Sequence, residues 1–160
     1  MKFEKFLKNV GTRGIIVNST KYGKFLLFGN VMLRIPDGVN IMASFTKIMP
    51  EWQETIFRDF RDGYITEAEL TDAALPTPDA TPSQIKRIFE DAYDGRIAID
   101  NKTFGVIERS DRTYIYPEDY EDNNNANVSA LLVTTGHGDD ETITGIVFDE
   151  HYYTEMMEKE

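Results

Sequence analysis

Two histidines, His137 and His151, stand beside carboxylates: Asp139, Asp140 and Glu141 for the first, Asp149 and Glu150 for the second. These are the donor types of a mixed nitrogen and oxygen metal site. If Thr135 pairs near Thr142 in a hairpin, however, His151 falls opposite Ala126, about 30 Å from the hairpin tip at ~3.3 Å per strand residue. The two histidines are then too far apart to share an ion. Nucleophilic catalysis asks for a Ser, Thr or Cys beside a base and an oxyanion donor; cysteine is absent, no Gly-x-Ser-x-Gly occurs, and neither histidine has a motif partner. Gly136-His-Gly138 lacks the further glycine and the following helix of a phosphate-cradling loop, and no Gly-x-x-x-x-Gly-Lys is present. Carboxylate pairs carry little information in a chain with 28 acids. The expectation is a protein without catalytic residues, metal or cofactor, and not an enzyme.

The stretch Ile56-Phe-Arg-Asp-Phe-Arg-Asp-Gly-Tyr-Ile-Thr-Glu-Ala-Glu-Leu70 is the closest approach to a metal motif. Its second half, Asp62 to Leu70, resembles the end of an EF-hand calcium loop over about a dozen residues. With Gly63 as the turning glycine, Arg58 and Phe60 fall where carboxylates must chelate, and a guanidinium repels the ion. Thr66-Glu-Ala-Glu69 fits a helix capping box equally well, which makes the stretch a helix-turn-helix corner. Glu67, Glu69 and Asp72 on its second helix have the wrong sign for DNA phosphates.

Charge is divided unevenly. Residues 1–50 hold eight Lys/Arg against two acids, a balance of +6, whereas residues 51–160 hold nine against twenty-six, a balance of −17. If that division survives folding, the molecule is an electric dipole suited to a charged protein partner or to head-to-tail packing of copies. The cations expected on the basic face are Lys21, Lys24, Arg34 and Lys47. Lys21, Tyr22, Lys24, Phe25 and Phe28 also interleave cations with rings, the ingredients of a single-strand stacking platform. Leu26, Leu27, Met32 and Ile35 around them point instead to burial of the rings, and a pI near 4.6 argues against nucleic acid as the partner of the whole molecule.

The elements that must position these residues follow from periodicity. Phe3, Phe6, Leu7 and Val10 have the spacing of a helix with one buried stripe, closed at Gly11. Gly14–Asn18, Lys24–Phe28, Val31–Ile35 and Val39–Phe45 read as an antiparallel meander, with Gly29-Asn30 as a two-residue hairpin connection; a single strand from Lys24 to Ile35 bulged at Gly29 is the alternative. Pro50 opens a helix through Trp52, Ile56 and Phe60 that stops at Gly63. A second helix is expected from Thr66 to about Leu75. After a stiff Pro76–Pro82 linker, a third is expected from Thr81 to Gly95, with Ile85, Ile88, Phe89 and Ala92 buried. Strands return at Arg96–Asp100, Thr103–Glu108 and Thr113–Tyr116, with Asn101-Lys102 and Asp111-Arg112 as tight turns. Tyr120–Ala126 reads as a polar loop, and Ser129–Thr135 with Thr142–Phe148 as a final hairpin. The tail from Glu155 to Glu160 is expected to fray.

The fold expected is therefore α+β in one domain over residues 1–160: an antiparallel sheet of N-terminal meander and C-terminal hairpins, with a helical segment over residues 50–94 between the two β-rich parts. With 41% hydrophobic residues the chain can build a core, and no run reaches the length of a membrane span. The N-terminus lacks a signal-peptide pattern and cysteine is absent, which suits the cytoplasm, or a virion if the protein is viral. The function expected is a non-enzymatic assembly or interaction protein, acting as a small structural or accessory subunit of a viral particle or another large complex. Its partner is a protein or copies of itself in a homo-oligomer, with neither nucleic acid nor membrane involved. The alternative is an acidic mimic of nucleic acid that inhibits a host nucleic-acid-binding protein.

Overall fold

Alternation along the strands decides the layering. In the computed structural model, which describes residues 1–63, 65–75, 85–117 and 128–159, Val31, Leu33, Leu131 and Val147 point to one face of a large sheet, and Met32, Leu132, Ile146 and Phe148 to the other. Both faces are apolar, so both must be covered.

The elements in chain order are α1 (Phe3–Val10), β1 (Ile15–Ser19), β2 (Gly23–Phe28), β3 (Val31–Arg34), β4 (Phe45–Ile48), α2 (Glu51–Arg61), β5 (Thr66–Glu67), β6 (Glu69–Leu75), β7 (Lys86–Glu90), β8 (Arg96–Asp100), α3 (Asn101–Phe104), β9 (Arg112–Pro117), β10 (Val128–Thr135), β11 (Thr142–Phe148) and α4 (Glu150–Glu158). Eight strands form one sheet in the order β4-β1-β2-β3-β11-β10-β9-β5, and three form a second in the order β6-β7-β8. The fold is α+β, and its pairs are antiparallel except β1 with β4.

One face of the large sheet is covered by α1, through Phe3, Phe6 and Val10, and by the small sheet, through Phe89, Ile97 and Ile99. The other face is covered by α2, through Ile56 and Phe57, and by α4, whose Tyr152 and Tyr153 lean on it. The lone Trp52 is the keystone on that side, edge-on to Phe148 at 5.4 Å, Tyr152 at 6.0 Å and Tyr153 at 6.4 Å. Asp149 caps α4 by accepting the Tyr152 N–H.

The N-terminal meander and C-terminal hairpin join at the β3–β11 seam, where Met32 pairs with Ile146. Asn30 fastens it: its amide nitrogen donates to the Phe148 carbonyl at 2.6 Å, and its carbonyl accepts the Phe148 N–H at 2.8 Å. Gly29 before it has φ +61, as the first position of a tight hairpin turn demands. The chain therefore turns at Gly29-Asn30 between two strands rather than running on as one bulged strand.

The structure corrects several expectations. The helical segment over residues 50–94 reduces, among the described residues, to α2. Thr66–Leu75 and Lys86–Glu90 are strands, and the Thr66 hydroxyl, expected to cap a helix, donates instead to the Asp91 carboxylate at 2.8 Å. Strand β4 begins at Phe45 and runs parallel to β1, where an antiparallel strand over Val39–Phe45 was expected. The expected strand at Thr103–Glu108 and turn at Asn101-Lys102 are replaced by α3 and the turns after it. The residues expected to fray include the last turns of α4, which runs to Glu158. The Pro76–Pro82 linker and the Tyr120–Ala126 loop lie outside the described residues.

Candidate interaction surface

The four cations singled out in the sequence gather at one end of the meander, around the β1–β2 turn, but divide between the two faces of the sheet. Lys21 lies in that turn, whose shape is set by the Ser19 hydroxyl accepting the N–H groups of Lys21 at 3.3 Å and Tyr22 at 3.1 Å. Arg34 pairs with Phe25, Phe25 with Val17, and Val17 with Lys47. This row crosses four neighbouring strands on the α2 face, with a cation at each end about 14 Å apart at ~4.8 Å per strand. Lys24, one residue before Phe25, points to the opposite face and is exposed. Acids enter the same region: the Ser19 hydroxyl donates to Glu54 of α2 at 3.4 Å. The Lys47 ammonium reaches the Met157 sulfur of α4 at 4.0 Å.

The rings between these cations are engaged within the protein. Tyr22 stacks on Phe57 with centroids 4.7 Å apart, Phe25 is buried edge-on to Phe57, and Arg13 lies over Phe28 at 4.8 Å. A base would have to displace them to stack.

Sequence reasoning missed the apolar edge beside the cations. Strand β4 is one edge of the large sheet and, among the described residues, pairs only with β1. It leaves Phe45 56% and Ile48 82% exposed, and Met42 just before it 79% exposed. Register with β1 puts Phe45 beside Ile15 and Ile48 beside Asn18, so the two side chains emerge on opposite faces. Edge strands are commonly protected by charge, proline or a covering element, because their free backbone groups and side chains recruit other chains. The available signal was Phe45-Thr-Lys-Ile48 itself, whose two apolar side chains an odd number of positions apart cannot both face one core.

The other residues weighed for chemistry are placed separately. His137 sits in the exposed β10–β11 connection. His151, expected opposite Ala126 if the hairpin register ran on, is on α4, 3.5 Å from Glu155 one turn on. No cluster of His, Cys, Asp and Glu suited to a metal occurs among the described residues. The calcium-like stretch is a helix followed by strands, so neither an EF-hand nor a DNA-binding helix pair is present there.

Glu141 is held by three side chains: its Oε2 accepts from the Tyr114 and Thr134 hydroxyls, each at 2.6 Å, and its Oε1 lies 3.7 Å from Arg112. Burial, and then the hydrogen bond to Glu141, push the Tyr114 phenol up to about 12. These contacts tie the β10–β11 connection to β9. No helix among the described residues is long and apolar enough to cross a membrane. Comparison with family models, curated proteins and solved structures finds no match to this chain.

Proposed function

We propose that the protein is a non-enzymatic interaction subunit that binds a protein partner along the β4 edge, with Lys21, Lys24, Arg34 and Lys47 favouring an acidic partner. The observation that carries this reading is the exposure of Met42, Phe45 and Ile48 on and beside an outer strand that, among the described residues, has a neighbour on one side only. Covering one such side chain fully is worth about 1.5–3 kcal/mol, so a partner that clasps both faces of this edge gains a useful part of its binding energy from them after ordering costs. The cations add steering and salt sensitivity. Such a subunit would serve a larger complex, a viral particle among them, in the cytoplasm or the virion.

A pull-down from the native source, with wild type and Ile48→Glu as baits at low and high salt, tests the reading. The partner should be retained by wild type, weakened by salt and lost with Ile48→Glu. An identical set of captured proteins with both baits overturns it, and a set of basic nucleic-acid-binding proteins indifferent to Ile48→Glu would favour the acidic mimic instead.

A further inference from the structure

Resting on that reading, we infer that the partner of the β4 edge is a second copy of this chain, which receives it in the acidic groove beside β6. The groove is lined by Glu67, Glu69, Leu70, Thr71, Glu90, Asp91 and Ala92 and has a volume of about 470 Å³. Leu70 on its wall is 45% exposed, an apolar spot set among four carboxylates. Arg96 engages Glu90 at 3.2 Å and Arg112 approaches Glu67 at 3.6 Å, while Glu69 meets no cation among the described residues. The groove thus presents an apolar contact inside a net negative rim. The β4 edge presents the complementary arrangement: the exposed Ile48 stands in one row with Asn18 and Lys24, while Phe45 and Lys47 share the opposite face.

Position in the sheet makes the contact intermolecular. Strand β4 is at one edge of the large sheet and β5, which carries Glu67, is at the other. Seven strand spacings of ~4.8 Å separate them by roughly 34 Å. One molecule cannot close the contact on itself, but each copy offers both halves at opposite edges. The interface is heterologous, and its repetition builds a ring or a filament. Pairing of β4 with β4 of another copy is disfavoured, because antiparallel self-pairing about the middle of the strand brings two Lys47 ammonium groups onto one face within about 5–8 Å.

A heterologous contact permits a complementation test by light scattering after size-exclusion chromatography. Ile48→Glu spoils the strand edge and keeps the groove; Glu69→Lys with Leu70→Lys spoils the groove and keeps the edge. All three positions are exposed, and thermal melts will verify that both variants are folded. Wild type should exceed the 18.3 kDa monomer mass at low salt and fall towards it at high salt. Each variant alone should stay monomeric, and an equimolar mixture should double in mass, because one good edge then meets one good groove.

A groove variant that still assembles like wild type overturns the groove while leaving β4 as the interaction surface. Two monomeric variants that fail to complement show an isologous contact and overturn the head-to-tail arrangement. Wild type that remains monomeric at millimolar concentration overturns the second copy as partner, and the pull-down with Ile48→Glu then decides separately whether β4 binds another protein.

Discussion

Replacing Gln53 with methionine should make the protein more stable. Gln53 lies on the inner side of α2, is fully buried, and neither its amide oxygen nor its amide nitrogen has a hydrogen-bond partner among the described residues. A buried polar group left unsatisfied costs about 1–3 kcal/mol, and this side chain leaves both a donor and an acceptor in that state. Methionine has nearly the same length and flexibility and no such groups, so the substitution removes the penalty without opening a cavity. Taking the low end for each half of the amide gives a gain of about 2 kcal/mol. At ~2–4 °C per kcal/mol for a chain of this size, the melting temperature should rise by about 4–8 °C. Urea unfolding followed by Trp52 fluorescence measures it directly: the midpoint should move up with the slope unchanged. A loss of more than 1 kcal/mol on Gln53→Met would falsify the reasoning, because it would mean that the amide has a partner, such as an enclosed water, worth more than its desolvation.

Other expectations are as specific. Tyr116→Phe removes the hydroxyl that donates to the buried Asp59 carboxylate at 2.6 Å, and should cost about 2–3 kcal/mol in the same unfolding assay. Gly136→Ala places a methyl 2.5 Å from the Asp140 carbonyl oxygen at φ +94, and should cost at least ~2 kcal/mol by combining a left-handed backbone with a clash. The Tyr114 phenol, raised to about 12 in the folded protein from 10.0, is held neutral by folding; its contribution is complete below pH 10 and is lost as pH climbs from 10 to 12. Tyr114→Phe should therefore flatten the fall in stability over that window, and tyrosinate absorbance should show one late-titrating phenol fewer in the variant than in wild type.

The parts of the fold legible in the sequence are those where one local pattern has one outcome. Phe3, Phe6 and Val10 define a helix stripe whatever lies beneath, and Gly29-Asn30 between apolar runs reverses the chain. Residues 66–75 and 85–94 depart from the sequence expectation because two patterns coexist there. Ile85, Ile88, Phe89 and Ala92 have helical spacing, yet in the structure only Phe89 of the four is fully buried. The pairing of Phe89 with Ile97 and of Arg87 with Ile99 decides the conformation, and such non-local pairing overrides local propensity. Thr66 and Glu69 could cap a helix, but Asp91, 25 residues away, takes the Thr66 hydroxyl. The candidate surface was half legible: its cations stand out as charges, whereas the exposure of Phe45 and Ile48 depends on β4 being last in the sheet, which only the crossover from β3 to a strand beside β1 reveals.

The β3–β11 seam has a consequence for biosynthesis. Val31 pairs with Val147, so at ~5–20 residues per second the ribosome leaves the apolar flank of β3 without its neighbour for roughly 6–23 s. The nascent meander is thus a sticky, half-built sheet for far longer than a hairpin takes to close. Cellular yield should respond to chaperone supply and translation speed more sharply than the stability of the finished molecule would suggest.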